Sequence, residues 1–151
     1  MSTDTASAGS QPAVAIAPAA LAVIERHGAE AYPHECCGAL LASGDAIVEA
    51  FPLENTTDGP AARRFLVGPS QYRRAEQWAA ERGGTLAGFY HSHPDHPARP
   101  SQTDLEQAWP NFLYVIVSVV EAVPRDITCW RLQEDRSAFE RGDLKPWRTE
   151  S

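Results

Sequence analysis

Apolar positions recur along the chain in two rhythms, one of period two and one near 3.6, and they predict strands interleaved with helices. Ala13–Ile16 (AVAI) reads as a short strand, after which the spacing turns helical. Pro18 suits a first turn, and Leu21 and Ile24 fall on one face. Gly28 is expected to end that helix, with Tyr32-Pro33 marking the exit. Gly38–Ser43 (GALLAS) is an apolar run that Gly44-Asp45 turns back into Ala46–Leu53, giving a hairpin. Asn55–Ala62 is polar and contains Gly and Pro, the composition of a loop, and Phe65-Leu66-Val67 reads as a brief strand. Gly68-Pro69-Ser70 opens a second helix from about Gln71 to Arg82, which Gly83-Gly84 closes. Thr85–His91 (TLAGFYH) is the next strand, and the prolines of Pro94–Pro100 exclude regular structure. Ser101–Trp109 is a short helix and Phe112–Val120 is the most β-rich stretch. Ile127–Leu132 is a further strand, and Ala138–Glu140 the last candidate. No strict βαβ rhythm or internal repeat is present. The predicted fold class is α/β: a mixed β-sheet flanked by two or three helices.

Length and composition narrow this picture. At 151 residues the chain is the size of one domain. A polar tail over 1–12, a domain over 13–143 and a C-terminal tail over 144–151 are expected. The composition, 43% hydrophobic and 22% charged, is that of a soluble globular protein. A net charge of −7 argues against nucleic-acid binding, whose footprint is a basic face. The apolar run from Ala13 to Ile24 is broken by Pro18 and falls short of the ~20 residues that span a bilayer, so no membrane partner is expected. Cys36, Cys37 and Cys129 form an odd set with a vicinal pair, a poor disulfide framework. With no secretory signal at the start of the chain, a cytoplasmic location is expected.

The chemistry concentrates in Tyr90-His91-Ser92-His93-Pro94, a proline-rich gap to Pro100, and Ser101-Gln102-Thr103-Asp104. Residues two apart on a strand share a face, so His91 and His93 can aim both imidazoles at one point. The stiff gap turns the chain back and delivers Asp104 in the first turn of the next helix. Two His and one carboxylate, with a fourth position left open, is the ligand set of a catalytic rather than a structural zinc site. Each part has a plainer reading. A His-x-His pair is often ordinary core or surface histidine, and Ser101-x-x-Asp104 is also a helix capping box. The cap and the ligand are compatible, because a fixed helix start positions Asp104. The conjunction within fourteen residues is what points to a metal.

Other chemistries fail on inspection. His34-Glu35-Cys36-Cys37-Gly38 begins like a zincin H-E-x-x-H, but Gly38 stands where the second His is needed. The zinc-deaminase pattern lacks its P-C-x-x-C, and no G-x-S-x-G, Walker loop or G-x-G-x-x-G is present. Cys37 could serve as a nucleophile, although a small buried cysteine is far commoner.

His91-Ser-His93, a seven-residue gap from Pro94 to Pro100, Ser101-x-x-Asp104 and an upstream Pro33-x-Glu35-x-Cys37-Gly38-x-Leu40-Leu41 resemble the JAMM (MPN+, JAB1-like) metallopeptidases over roughly Ala13 to Leu132. The compact length resembles the short prokaryotic branch. The resemblance implies a JAB1/MPN-like (cytidine-deaminase-like) architecture with a curved, largely antiparallel sheet. It implies one Zn2+ per chain on His91, His93 and Asp104, with Glu35 as general base and Ser101 as an oxyanion donor. The implied substrate is the amide bond after the C-terminal Gly-Gly of a ubiquitin-like sulfur-carrier protein, from which an amino acid or short extension is released. An isopeptidase acting on target lysines and a non-catalytic scaffold are the alternatives. A homodimer is compatible with the sequence. His96 and Arg99 sit in the gap beside the ligands, either touching substrate or simply solvated.

Overall fold

β1 (Ala13–Ile16), α1 (Pro18–Ala31), β2 (Cys37–Ser43), β3 (Ala46–Leu53), α2 (Pro69–Glu81), β4 (Thr85–Pro94), α3 (Gln102–Gln107), β5 (Leu113–Val120), β6 (Val123–Leu132) and β7 (Phe139–Pro146) follow one another along the chain. The computed structural model describes residues 13–54, 69–109, 111–135 and 137–146. The loop expected at Asn55–Ala62 and the strand expected at Phe65–Val67 lie outside those residues.

The sheet is mixed, as expected, but it is not an open sheet with helices on its faces. It closes into a barrel in the order β1-β3-β2-β4-β5-β6-β7. Closure comes from β7, which pairs antiparallel with β6 and parallel with β1, from Ala13↔Asp143 to Ile16↔Pro146. β7 therefore runs well beyond the Ala138–Glu140 strand and past the domain boundary expected at 143. Its sequence, FERGDLKP, is charged and mostly exposed and shows no apolar alternation. Two neighbouring strands, rather than its own pattern, make it a strand. Of the seven pairings, β1–β3, β1–β7 and β4–β5 are parallel and the other four antiparallel. A parallel pair needs a crossover, and α3 lies within the one that joins β4 to β5.

Two other differences have local causes. α1 continues through Gly28 to Ala31. Gly28 is buried inside the helix, where an added Cβ would meet Val119 Cγ2 at 3.0 Å. It is there for close approach to β5, not as a terminator. β6 begins at Val123 because the β5–β6 turn is tight, with Glu121 and Ala122 both at positive φ (50° and 69°). That geometry suits a two-residue hairpin, which is usually built with Asn or Gly.

Two apolar clusters set the faces of the central strands. One gathers Ile16, Ile24, Leu40, Ile47, Tyr90, Val115, Val117 and Val119 with α1. The other gathers Cys37, Ala39, Ala75, Phe89, Tyr114 and Leu132 with the α2 aromatics Tyr72 and Trp78. On β4, Tyr90 faces the first cluster and Phe89 the second. Strand alternation then carries His91 and His93 to the side of Phe89, and Ser92 to the side of Tyr90.

Candidate metal centre

The end of β4 is buried from Gly88 to Pro94, so its two histidines are held by neighbours on both sides. His91 pairs with Cys37 of β2 and Ile116 of β5, and His93 pairs with Ser118. The two rings converge, with His91 Nε2 and His93 Nε2 3.2 Å apart. Asp104 joins them from the first turn of α3. Its Oδ2 lies 3.1 Å from His93 Nε2 and 3.3 Å from His91 Nε2.

The expected capping box is present. Ser101 Oγ accepts from the Asp104 backbone N–H at 3.0 Å, and Ser101 N–H donates to Asp104 Oδ2 at 2.9 Å. Cap and ligand are thus one device: the box fixes the carboxylate, and the same oxygen faces both imidazoles. The helix itself, Gln102–Gln107, is shorter than the expected Ser101–Trp109, with Ser101 outside it as N-cap.

The donor set fits zinc. Zinc–ligand bonds of ~2.0–2.1 Å at tetrahedral angles place ligand atoms about 3.3 Å apart, and the three observed edges span 3.1–3.3 Å. His93 Nδ1 lies 2.8 Å from the Pro97 carbonyl. An N–H there leaves Nε2 with the lone pair that a metal requires. His91, His93 and Asp104 are all buried, and burial would raise the Asp104 carboxyl. His91, His93 and the Ser101 N–H override that and hold it far below the usual carboxylate range. Burial pushes His91 down, whereas hydrogen bonds to Asp104 and Pro97 outweigh burial and pull His93 up. A metal binding here would compete with protons for these nitrogens.

Spacing could not place Glu35, yet the fold brings it to this site. It precedes β2 and is 8% exposed. Burial, opposed by His93 and aided by Asp104, pushes its carboxyl up to about 8. Glu35, His93 and Ser101 line one cleft of about 610 Å³ together with His96, Pro97 and Arg99. The residue that positions Glu35 escaped the sequence reading. Ser92, between the two histidines and fully buried, accepts from Cys36 N–H at 2.9 Å, and its own N–H donates to Cys36 O at 3.1 Å. The middle position of His-x-His was its only signal. Tyr32 adds a second tie, donating to Asp95 Oδ2 at 2.6 Å, while Asp95 Oδ1 accepts from Glu121 N–H at 3.0 Å.

The loop after β4 is stiffened by more than its prolines. Three successive carbonyls each face a polar side chain: His96 O takes Ser118 Oγ at 2.7 Å, Pro97 O faces His93, and Ala98 O takes Thr128 Oγ1 at 2.7 Å. Ser118 and Thr128 stand out in the sequence as polar positions in apolar strands. Cys37 is not set up as a nucleophile: it is fully buried, and burial pushes its thiol up to about 12. Among the described residues no helix is long and apolar enough to cross a membrane.

The chain thus forms a small mixed barrel that presents a His-His-Asp cluster at the end of a central strand. Residues 17–133 match the family described as prokaryotic homologs of the JAB domain, and the chain belongs to that family. It is similar to the tail tip assembly protein K of Escherichia phage N15, at 32% identity over 121 residues, 80% of this chain and 43% of the relative. It is also similar to the desampylase of Haloferax volcanii, at 35% identity over 89 residues, 57% of this chain and 63% of the relative. The chain thus spans less than two thirds of the length of either curated relative. Among solved structures, a Salinibacter ruber protein shares 42% identity at a TM-score of 0.71, covering 91% of this chain and 94% of that one. A structure described as a JAMM metalloprotease-like zinc site in the proteasome and signalosome shares the fold at 19% identity and a TM-score of 0.50, covering 87% of this chain and 97% of that one.

Proposed function

We propose that the chain is a zinc metallopeptidase that hydrolyses the amide bond after the C-terminal Gly-Gly of a ubiquitin-like sulfur-carrier protein, releasing an amino acid or short extension. One observation carries the proposal. His91 Nε2, His93 Nε2 and Asp104 Oδ2 converge within 3.1–3.3 Å, and a buried Glu35 lines the same cleft. An ion held by that triad supplies Lewis acidity to a carbonyl and acidifies water.

The chain's own groups do the rest. Glu35 takes a proton from the attacking water at a carboxylate oxygen and passes it to the departing amine nitrogen as the C–N bond breaks, acting first as general base and then as general acid. Ser101 Oγ accepts from Asp104 N–H, which leaves its hydroxyl hydrogen to donate to the oxygen where charge develops. The capping box, Ser92 and the carbonyl ties of the His96–Ala98 segment hold these groups before substrate arrives, so little ordering is left to the reaction step.

The desampylase relative favours a second reading with the same chemistry but a different leaving group: an isopeptidase that frees a ubiquitin-like modifier from target lysines. The two are separated by offering the zinc-loaded protein a carrier with an α-linked residue after Gly-Gly beside the same carrier joined to a lysine side chain. Cleavage of the α-linked form alone is expected. Cleavage of the lysine-linked form alone overturns the first reading in favour of the second. Cleavage of neither, with Glu35→Gln indistinguishable from the parent, overturns both and leaves a binding module.

A further inference from the structure

Arg99 lines the metal cleft with an exposed side chain and, among the described residues, forms no ion pair. Its backbone is nonetheless well anchored. The three residues before it have their carbonyls held by Ser118, His93 and Thr128, and Arg99 N–H donates to Pro97 O at 2.8 Å. Thr128 is fixed in turn by Trp130 Nε1 at 2.8 Å. A guanidinium mounted on so constrained a segment, yet with no ion-pair partner among the described residues, is available for an anion.

The charge balance of the cleft says which anion needs it. Asp104 and Glu35 bring two carboxylates to the site, enough between them to neutralise a divalent ion when both are ionised. The chain as a whole carries −7. A substrate that brought a further carboxylate would meet no net attraction at the metal and repulsion from the protein. Among the described cleft-lining residues, Arg99 holds the one permanent positive charge. The free α-carboxylate of a C-terminal residue sits two bonds beyond the scissile nitrogen, on the leaving-group side. A lysine side chain linked through its ε-nitrogen presents no such anion.

We infer that Arg99 is a specificity-determining residue that binds the free α-carboxylate of the departing C-terminal residue and so selects substrates extended by a terminal amino acid. The inference takes the hydrolase reading as its premise for which part of the substrate enters the cleft, but its test requires no turnover. Zinc-loaded Glu35→Gln protein is titrated with two peptides that differ only at the end, Gly-Gly-Ala as the free acid and Gly-Gly-Ala as the carboxamide. Tighter binding of the acid by roughly 10-fold is expected, the range of a charge-assisted hydrogen-bonded pair in a partly open site. Arg99→Ala brings the ratio near one by weakening the acid alone, and Arg99→Lys retains part of it.

Equal binding of acid and amide, or binding of neither, overturns the inference. So does a preference that survives Arg99→Ala, because the metal itself would then be holding the carboxylate. Loss of both peptides in Arg99→Ala makes Arg99 a general docking contact and equally overturns it. A protein that prefers the acid through Arg99 yet cleaves no carrier would refute the hydrolase reading and not this one.

Discussion

Glu35→Gln in the metal-free protein separates a functional group from a stabilising one. Burial lifts the Glu35 carboxyl from its ordinary 4.5 to about 8. A carboxyl raised on folding contributes stability that is fully present below its unfolded pKa and is lost as pH rises through the folded value. At about 1.4 kcal/mol per pH unit across that gap, the parent loses about 1 kcal/mol by pH 5, about 3 by pH 7 and about 4 by pH 8. Glutamine cannot titrate and loses none of it. Any mismatch in the hydrogen bonds of the amide adds an offset that does not change with pH, so the slope carries the test. The assay is denaturant unfolding of chelator-treated parent and variant between pH 5 and pH 8. The variant is expected to gain on the parent by about 3 kcal/mol over that range, and saturating zinc is expected to shrink the gain because a cation beside the carboxylate favours its ionised form. A stability difference that is flat with pH would refute the claim that Glu35 is held in a desolvated, proton-favouring pocket.

Three further outcomes are expected. Ser101→Ala lowers hydrolysis by about 10²–10³ if the hydroxyl serves the oxyanion and stability by about 1 kcal/mol through the lost cap; a stability loss with the rate unchanged assigns Ser101 to the cap alone. Ser92→Ala strips the partner from the buried Cys36 N–H and should cost about 1–3 kcal/mol in chemical denaturation, and an unchanged midpoint would mean that Ser92 does not hold the Glu35 segment. Native protein should resist alkylation of Cys37 by iodoacetamide at pH 8, since the thiol is fully buried and pushed up to about 12; rapid labelling that also stops hydrolysis would return Cys37 to the list of nucleophiles.

Much of the site is legible in the sequence because it is local. His91 and His93 follow from the period of a strand, and Asp104 from a capping signal and a stiff gap, all within one stretch of chain. Glu35 is not local. It reaches the cluster because β2 pairs with β4 at Cys37↔His91, a register that no spacing reveals, and only the family resemblance placed it. Closure of the sheet was illegible for a related reason: β7 has no apolar rhythm of its own and is strand only between β6 and β1. Gly28 misled in the opposite way. Its position near the expected end of a helix suggests a stop, whereas its contact with β5 is tertiary. The ties that tension the ligand loop, Ser118 and Thr128, show in the sequence only as polar interruptions whose partners are backbone carbonyls far along the chain.

The central claim is that three side chains form a metal site and that a fourth, beside them, works on substrate without holding the ion. Zinc stoichiometry by competition with a chromogenic chelator tests it most directly, measured on the parent, His93→Ala and Glu35→Gln. One equivalent in the parent, one in Glu35→Gln and none in His93→Ala is the predicted result. No zinc in the parent, or equal loss from both variants, would contradict it.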